Sequence, residues 1–384
     1  MLSGPMATRR DARGPARQAV VADDGPPRTR TLPEAQRGAW FDGLDIITQL
    51  RVWGTERAVE LPRHTKTFTL GSSTDRDIVV AGEFVSALHC VLERRGASLR
   101  VHDQGSHNGT FFRGRRETSF ELRPGDTFTA ASVRLLALSD EMRAAYPTLV
   151  ELLGSDAERD GASPGDLIVL ATSGAHVLVT GDPGCDHERL ARTLHALSLR
   201  RGRPLVELRE LGEVPSDRPG QRALLDRAAR TTLVLSSSSK AAPIDPAFTS
   251  MLFSPSYQIR VILLAPTLAK AAEVLGGTQQ APMHHVALRS LAERRDAILP
   301  ILDRMFVERG GALRVASLTE PNRAALRAWR WPDNFAGLRL AADRLVALAQ
   351  AGSLRRTADV LGIQPSSLHY WFTQLGLRLP LASG

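Results

Sequence analysis

The spacing of apolar residues changes its period twice along this chain, and that change limits the fold more than any other feature. From about residue 44 to 140, short apolar or alternating runs stand between clusters of Gly, Asp, Ser and Pro; Phe68–Leu70, Ile78–Val80, Ser98–Val101 and Val133–Leu138 are examples. Runs this short, broken by turn residues, imply an all-β sandwich or barrel. After Asp166 the runs His176–Thr180, Thr232–Leu235 and Arg260–Leu264 are nearly continuous in apolar residues, with helical stretches such as Glu188–Leu199 and Gln221–Ala229 between them. Strands buried on both faces and alternating with helices make a parallel α/β sheet. From about residue 284 onward the period is helical.

These boundaries give a multidomain chain: a tail at 1–43, an all-β domain at 44–140, a linker at 141–166 containing a short helix, an α/β unit at 167–283, a helical unit at 284–345 and a last all-α unit at 346–384. The tail is rich in Arg, Ala, Gly, Pro and Asp without a hydrophobic period, so disorder is expected there. No internal repeat is present. The N-terminus has arginines but no apolar core of signal-peptide length, and no apolar run approaches the roughly 18 residues of a membrane span. A soluble, cytoplasmic protein without membrane contact is expected. The net charge of +8 permits contact with nucleic acid. It is carried almost wholly by arginine, the lysines being Lys66, Lys240 and Lys270, a bias of the kind a GC-rich genome produces. Cys90 and Cys185 lie far apart and form no CxxC pair, so neither a disulfide framework nor a zinc site is indicated. No metal and no cofactor is expected.

Within 44–140 four motifs follow one another: Gly71; Ser86-Ala87-Leu88-His89; Ser106-His107-Asn108-Gly109-Thr110; and Leu122-Arg123-Pro124-Gly125-Asp126. In that order they resemble the forkhead-associated (FHA) family, whose pattern is Gly-Arg, Ser-x-x-His, Ser-x-Asn-Gly-Thr and a later Gly-Asp turn. The resemblance implies a β sandwich whose loops read phosphothreonine, a group with about −1.5 to −2 charges and three strong acceptor oxygens. It further implies that Ser86 donates to the phosphate, that Asn108 holds the peptide backbone, and that Gly109 and Thr110 complete the peptide-binding loop. Gly71 and His89 would be structural, His89 bracing the loop. The family's phosphate-pairing arginine is replaced by Ser72, so Arg76, Arg94 and Arg113 are candidates for the missing charge. The other reading of this domain is a plain protein-docking sandwich.

The α/β and helical units resemble the central AAA+ domain of sigma-54-dependent enhancer-binding activators. The match rests on Trp331-Pro332-Asp333-Asn334-Phe335 with Leu338 and Arg344, and on Leu291-Ala292-Glu293-Arg294-Arg295-Asp296-Ala297-Ile298. The nucleotide positions depart from that family. A phosphate-binding loop needs Gly-x4-Gly-Lys, because its amides cradle the phosphates while the lysine neutralises them. Here Gly181 and Gly184 remain, but Asp186 replaces the last glycine and His187 the lysine. A unit charge at 4 Å is worth about 4 kcal/mol at an effective dielectric of 20, so a carboxylate facing a triphosphate opposes binding. Ser236 and Ser237 stand where an Asp-Glu pair should hold Mg²⁺, and hydroxyls do not hold a hard dication as carboxylates do. Ala336 takes the place of a phosphate-sensing arginine, and Glu207–Gln221 leaves no room for the family's sigma-contacting loop. A P-loop NTPase fold with a helical lid and no catalysis is expected.

Residues 352–378 resemble the Fis-type helix-turn-helix that ends those activators, through Ala358, Leu361, Gly362, Ile363, Leu368, Leu375 and Gly376. Leu368, Trp371, Phe372 and Leu375 have core spacing. Ser366, Ser367, His369, Tyr370, Thr373 and Gln374 would then face the major groove, with Arg355 and Arg356 on phosphates. The combined expectation is a regulator, at least dimeric, that takes a threonine-phosphorylated partner and binds DNA. A phosphothreonine-dependent adaptor that never touches DNA and an active sigma-54-dependent ATPase are the rival readings.

Overall fold

The structure, a computed structural model, describes residues 46–154, 162–276 and 283–382. The expected disordered tail, 1–43, lies outside these residues. Eleven strands fill the first part of the described chain: β1 (Ile47–Val52), β2 (Ala58–Glu60), β3 (Thr67–Gly71), β4 (Ile78–Val79), β5 (Cys90–Arg95), β6 (Ser98–Asp103), β7 (Thr110–Phe112), β8 (Arg115–Arg116), β9 (Ser119–Leu122), β10 (Thr127–Ala130) and β11 (Val133–Ser139). They form two sheets, ordered β2-β1-β11-β10-β7-β8 and β4-β3-β5-β6-β9. Alternation sets the faces: Phe120 and Leu122 of β9 are buried while Glu121 between them is exposed. Leu92 pairs with Phe68 on one side and Val101 on the other, and all three join Ile47, Leu50, Leu70 and Phe128 between the sheets. Truncating Phe128 there would cost about 3–5 kcal/mol.

Helix α1 (Asp140–Leu153) follows β11 directly, capped by the Ser139 hydroxyl, which accepts from the Met142 N–H, with Asp140 and Glu141 in its first turn. Together with α2 (Pro164–Ser173) it occupies most of the described part of 141–166, the stretch read from sequence as a linker. Met142, Leu149, Leu152 and Leu153 share one core with Leu136 and Leu138 of β11 and with Ile168, Val177 and Leu190 beyond. Glu151 of α1 is buried, with its carboxylate on Arg189 (3.0 Å) and Arg304.

The next elements alternate: β12 (His176–Gly181), α3 (His187–Ala196), β13 (Val206–Leu208), α4 (Arg218–Ala228), β14 (Thr232–Ser236), α5 (Pro246–Leu252), β15 (Arg260–Ala265), α6 (Leu268–Val274) and β16 (Met283–Leu288). The five strands are parallel, in the order β13-β14-β15-β12-β16. Arg260 opens β15 and is completely buried. Its guanidinium donates to the carbonyls of Leu170 (3.0 Å), Ala171 (3.2 Å), Ala175 (3.0 Å) and Leu194 (3.3 Å). It caps the last turns of α2 and α3, where a cation is favourable. Burial brings its pKa down to about 9.

The rest of the described chain is helical: α7 (Arg295–Glu308), α8 (Glu320–Ala328), α9 (Asn334–Ala351), α10 (Leu354–Leu361) and α11 (Pro365–Gln374). Helix α9 runs across the 345/346 boundary set from sequence. Phe372, Leu375, Leu377 and Leu381 share a core with Phe306, Trp331, Phe335 and Leu345. Asn322 fastens the chain beyond α11, accepting from the Arg378 N–H (2.8 Å) and donating to the Arg378 carbonyl (2.9 Å). The two helical units read from sequence therefore pack as one helical body.

Candidate functional site

The loops at one end of the sandwich bring the FHA-like motifs together. Gly71 ends β3 where the backbone of residues 86–87 passes: a Cβ on Gly71 would lie 2.1 Å from the Ala87 carbonyl oxygen. That close approach places Ser72 against Ser86, with the Ser72 N–H donating to the Ser86 carbonyl (3.0 Å). His89 is wholly buried and joins two loops. Its Nδ1 accepts from the Ser86 N–H, and its Nε2–H donates to the Gly109 carbonyl, both at 3.2 Å. Burial holds its pKa below the ordinary imidazole range, which keeps the neutral tautomer this bracing needs.

The Ser86 hydroxyl accepts from the His107 N–H (3.2 Å), which leaves its own proton free to donate outward. Asn108 is exposed. Its Nδ2 donates to the Phe84 carbonyl (2.9 Å), tying the two loops together and leaving Oδ1 as an acceptor. Gly109 has φ +80°, a conformation that favours glycine. Gly109 itself is buried, its carbonyl taken by His89. The arrangement offers a hydroxyl donor and an amide acceptor on a rigid support, which suits a phosphorylated, extended peptide.

Three residues behave differently from the reading of the sequence. Thr110, placed there among the peptide contacts, is fully buried, and its hydroxyl donates to Asp103 (2.6 Å). Arg94 donates to the carbonyls of Ile47 (2.9 Å) and Thr65 (3.2 Å), so it secures the loop before β3 and is not available to a ligand. Arg76 is half-buried and pairs with Asp75 (2.9 Å), so its charge is already partly spent. Arg113 is exposed, stacked on Phe112 with its guanidinium 4.6 Å from the ring and 3.7 Å from Asp126.

Asp103 was not singled out from sequence, yet it organises the 106–110 loop. It accepts from the Ser106 N–H (2.9 Å), the Ser106 hydroxyl (2.6 Å) and the Thr110 hydroxyl. Burial pushes its carboxyl pKa up, but these hydrogen bonds outweigh burial and hold it below the usual carboxylate value.

The second phosphate-like loop follows β12 at the carboxyl edge of the parallel sheet, where its order reverses and ligands of such sheets bind. Ser236 and Ser237 stand on the same edge, at the end of β14. The loop is closed by the end of β16 and by the helical body. A Cβ on Gly184 would lie 2.3 Å from the Asp333 carbonyl oxygen, and one on Gly181 2.5 Å from the Leu288 carbonyl oxygen. Asn334 donates to the Pro183 carbonyl (2.9 Å) and accepts from the Leu291 N–H (2.9 Å). Asp186 precedes α3, is 8% exposed and receives both arms of Arg339 at 2.6 Å. These hydrogen bonds hold the Arg339 pKa above its ordinary value. Burial lowers the pKa of His187, which keeps it neutral near pH 7. Ala336 is exposed, one turn before Arg339. Arg339 was missed in the sequence because its partner lies 153 positions away.

In the C-terminal helices Leu368, Phe372 and Leu375 are buried and Trp371 is half-buried beneath Arg344, whose guanidinium lies 4.7 Å from the ring. Arg355, Arg356, Ser366, Ser367, His369, Tyr370, Thr373 and Gln374 are all exposed. The Thr373 hydroxyl donates to the His369 carbonyl (2.9 Å). No helix among the described residues is long and apolar enough to cross a membrane.

Residues 68–130 match the FHA domain family. Among solved structures, the FHA domain of a Chlamydia trachomatis protein is 24% identical, over 24% of this chain and 95% of that one, with a TM-score of 0.22. NtrX from Brucella abortus in complex with ATP is 18% identical over 55% of this chain and 66% of its own, with a TM-score of 0.38. EmbR from Mycobacterium tuberculosis in complex with a low affinity phosphopeptide is 21% identical over 29% of this chain and 27% of its own, with a TM-score of 0.23. No curated protein matches the chain.

Proposed function

From an FHA domain at residues 68–130, we propose a regulator that takes up a threonine-phosphorylated protein on the sandwich loops and contacts DNA, as an oligomer of at least two copies, through α10 and α11. The α/β and helical units serve as a scaffold of AAA+ type that does not turn over nucleotide. The carrying observation is the Ser86 hydroxyl. It accepts from the His107 N–H, its own N–H is held by His89, and its proton has no partner among the hydrogen bonds of the loop, in a half-buried position close to the exposed Asn108. A phosphate oxygen is the acceptor that such a donor would favour most, since charge-assisted bonds are roughly twice as strong as neutral ones.

The scaffold reading is supported by the occupancy of the 181–187 loop. The Asp186 carboxylate is met by Arg339, and Asp333 and Asn334 fill the space a phosphate-cradling loop leaves open. DNA contact is supported by the exposed polar row on α11 and by Arg355 and Arg356 on α10. The adaptor reading draws on two observations: α11 carries no Lys or Arg, and Tyr370 on α11 (67% exposed) and Val360 on α10 (73%) are uncovered.

Paired titrations of the full chain with phosphothreonine and threonine peptides test the first part. Preference for the phosphorylated peptide, lost in Ser86→Ala, supports it; equal affinity overturns it. An electrophoretic shift of duplex DNA that disappears in Thr373→Ala with Gln374→Ala supports the second part.

A further inference from the structure

We infer that Arg116 forms the cationic wall of the peptide site, and that the domain selects phosphothreonine segments carrying further acidic side chains within a few residues. The inference rests on the phosphothreonine reading above and adds a contact to the residues that flank the phosphothreonine.

The two sides of the loop cluster differ in sign. Residues 72–77 hold one arginine and two aspartates, and the arginine is already paired within the loop, Arg76 with Asp75 at 2.9 Å. Residues 113–117 hold three arginines and one glutamate. Arg115 and Arg116 are exposed, and neither forms an ion pair among the described residues.

Arg116 is nevertheless held in place. Its stem lies across Gly109, where a Cβ would come within 2.3 Å of Arg116 Nε, and its Nη2 donates to the Ser106 carbonyl (3.2 Å). Gly109 therefore serves two ends, a positive φ and a seat for this arginine. A guanidinium has five N–H donors, so most of its capacity remains open.

The peptide unit joining Ser106 to His107 links the two halves of the site. Its N–H meets the Ser86 hydroxyl and its carbonyl meets Arg116, each at 3.2 Å. The Ser86 hydroxyl and Arg116 are thus at most roughly 9 Å apart, two such bonds and the width of a peptide group. An extended peptide advances about 3.3 Å per residue, so a segment with its phosphate on Ser86 brings a neighbouring side chain to Arg116 within about three positions. A carboxylate is the side chain that a fixed, unpaired guanidinium binds best.

The test is calorimetric titration of the full chain with three peptides. The first is phosphothreonine flanked by three glutamates on each side; the second has alanine flanks; the third is the glutamate-flanked peptide without phosphate. Wild type should bind the first about tenfold more tightly than the second. Arg116→Ala should remove most of that ratio while leaving the alanine-flanked peptide within about twofold of wild type. Arg116→Gln retains a donor for the Ser106 carbonyl and should lose the ratio equally, which separates charge from loop support. An undiminished ratio in both variants, or no ratio in wild type, overturns the inference and leaves the phosphothreonine reading standing. Equal binding of the phosphorylated and unphosphorylated glutamate peptides overturns both.

Discussion

Two loops of this molecule have the outline of phosphate sites, and they differ in what their polar groups already do. At the sandwich end, the Ser86 proton, the Asn108 carbonyl oxygen and the Arg116 guanidinium have capacity left over after the internal bonds are made. At the 181–187 loop the glycines lie close against neighbouring backbone, the Asp186 carboxylate takes both arms of Arg339, and Asn334 joins the loop to the helical body. The first loop is supported from behind and open in front; the second is held from both sides. A motif's residues describe a site only when their donors and acceptors are unspent, and spending them internally turns a binding loop into a joint.

The joint at residues 181–187 can be opened at Arg339. Arg339→Ala leaves the Asp186 carboxylate nearly buried without its bidentate partner, at a cost of about 2–4 kcal/mol, between the values for exposed and fully buried pairs. Urea unfolding should show the loss, and Asp186→Asn in the Arg339→Ala background should recover part of it. An Arg339→Ala protein as stable as wild type would mean that the 181–187 loop is free. Next in size is Asp103→Asn, which removes a charged acceptor from Ser106 and Thr110 and should cost about 1.5–3 kcal/mol in the same assay.

Ser86→Ala should leave stability within about 1 kcal/mol of wild type and weaken phosphothreonine peptide binding about tenfold. A large stability loss instead would make Ser86 a brace like Asp103. The smallest effect is on pH dependence. The folded His89 pKa lies below its ordinary value, so the unfolded chain takes up the proton first. Its contribution is level above about pH 7 and falls as pH drops below the ordinary imidazole value, at most by about 1.4 kcal/mol per unit. His176, His187 and His195 shift in the same direction, so the readout is the difference between the wild-type and His89→Asn unfolding curves from pH 7.5 to 5.

The β sandwich shows in the alternation of apolar residues, the parallel sheet in short continuous runs buried on both faces, and the helices in their longer repeat. The exception is the edge strand β16 (Met283–Leu288), which falls within the stretch from 284 onward that reads as helical, because its mixed polar and apolar residues form no continuous run. The loop site is visible for a similar reason: Gly71, His89 and Gly109 are demanded by contacts within a short span of sequence. Thr110 was misplaced because a buried hydroxyl and a ligand-facing one look alike in a motif. The helix at 140–153 is faint in the sequence because its apolar face is divided between the sandwich and the sheet, so neither neighbour's period contains it. Arg339, Glu151 and Arg116 leave no local signal at all. Each acquires its meaning from a partner that only the fold brings near, Asp186, Arg189 and Ser106 respectively.

On the proposed reading, only one of the two phosphate-shaped loops takes a phosphate. Calorimetry of the full chain at one protein concentration, first with Mg-ATP and then with a phosphothreonine peptide, tests it most directly. Mg-ATP should give no saturable heat, and the peptide a one-site isotherm that Ser86→Ala weakens about tenfold. Saturable binding of Mg-ATP, with no distinction between phosphorylated and plain peptide, would contradict it.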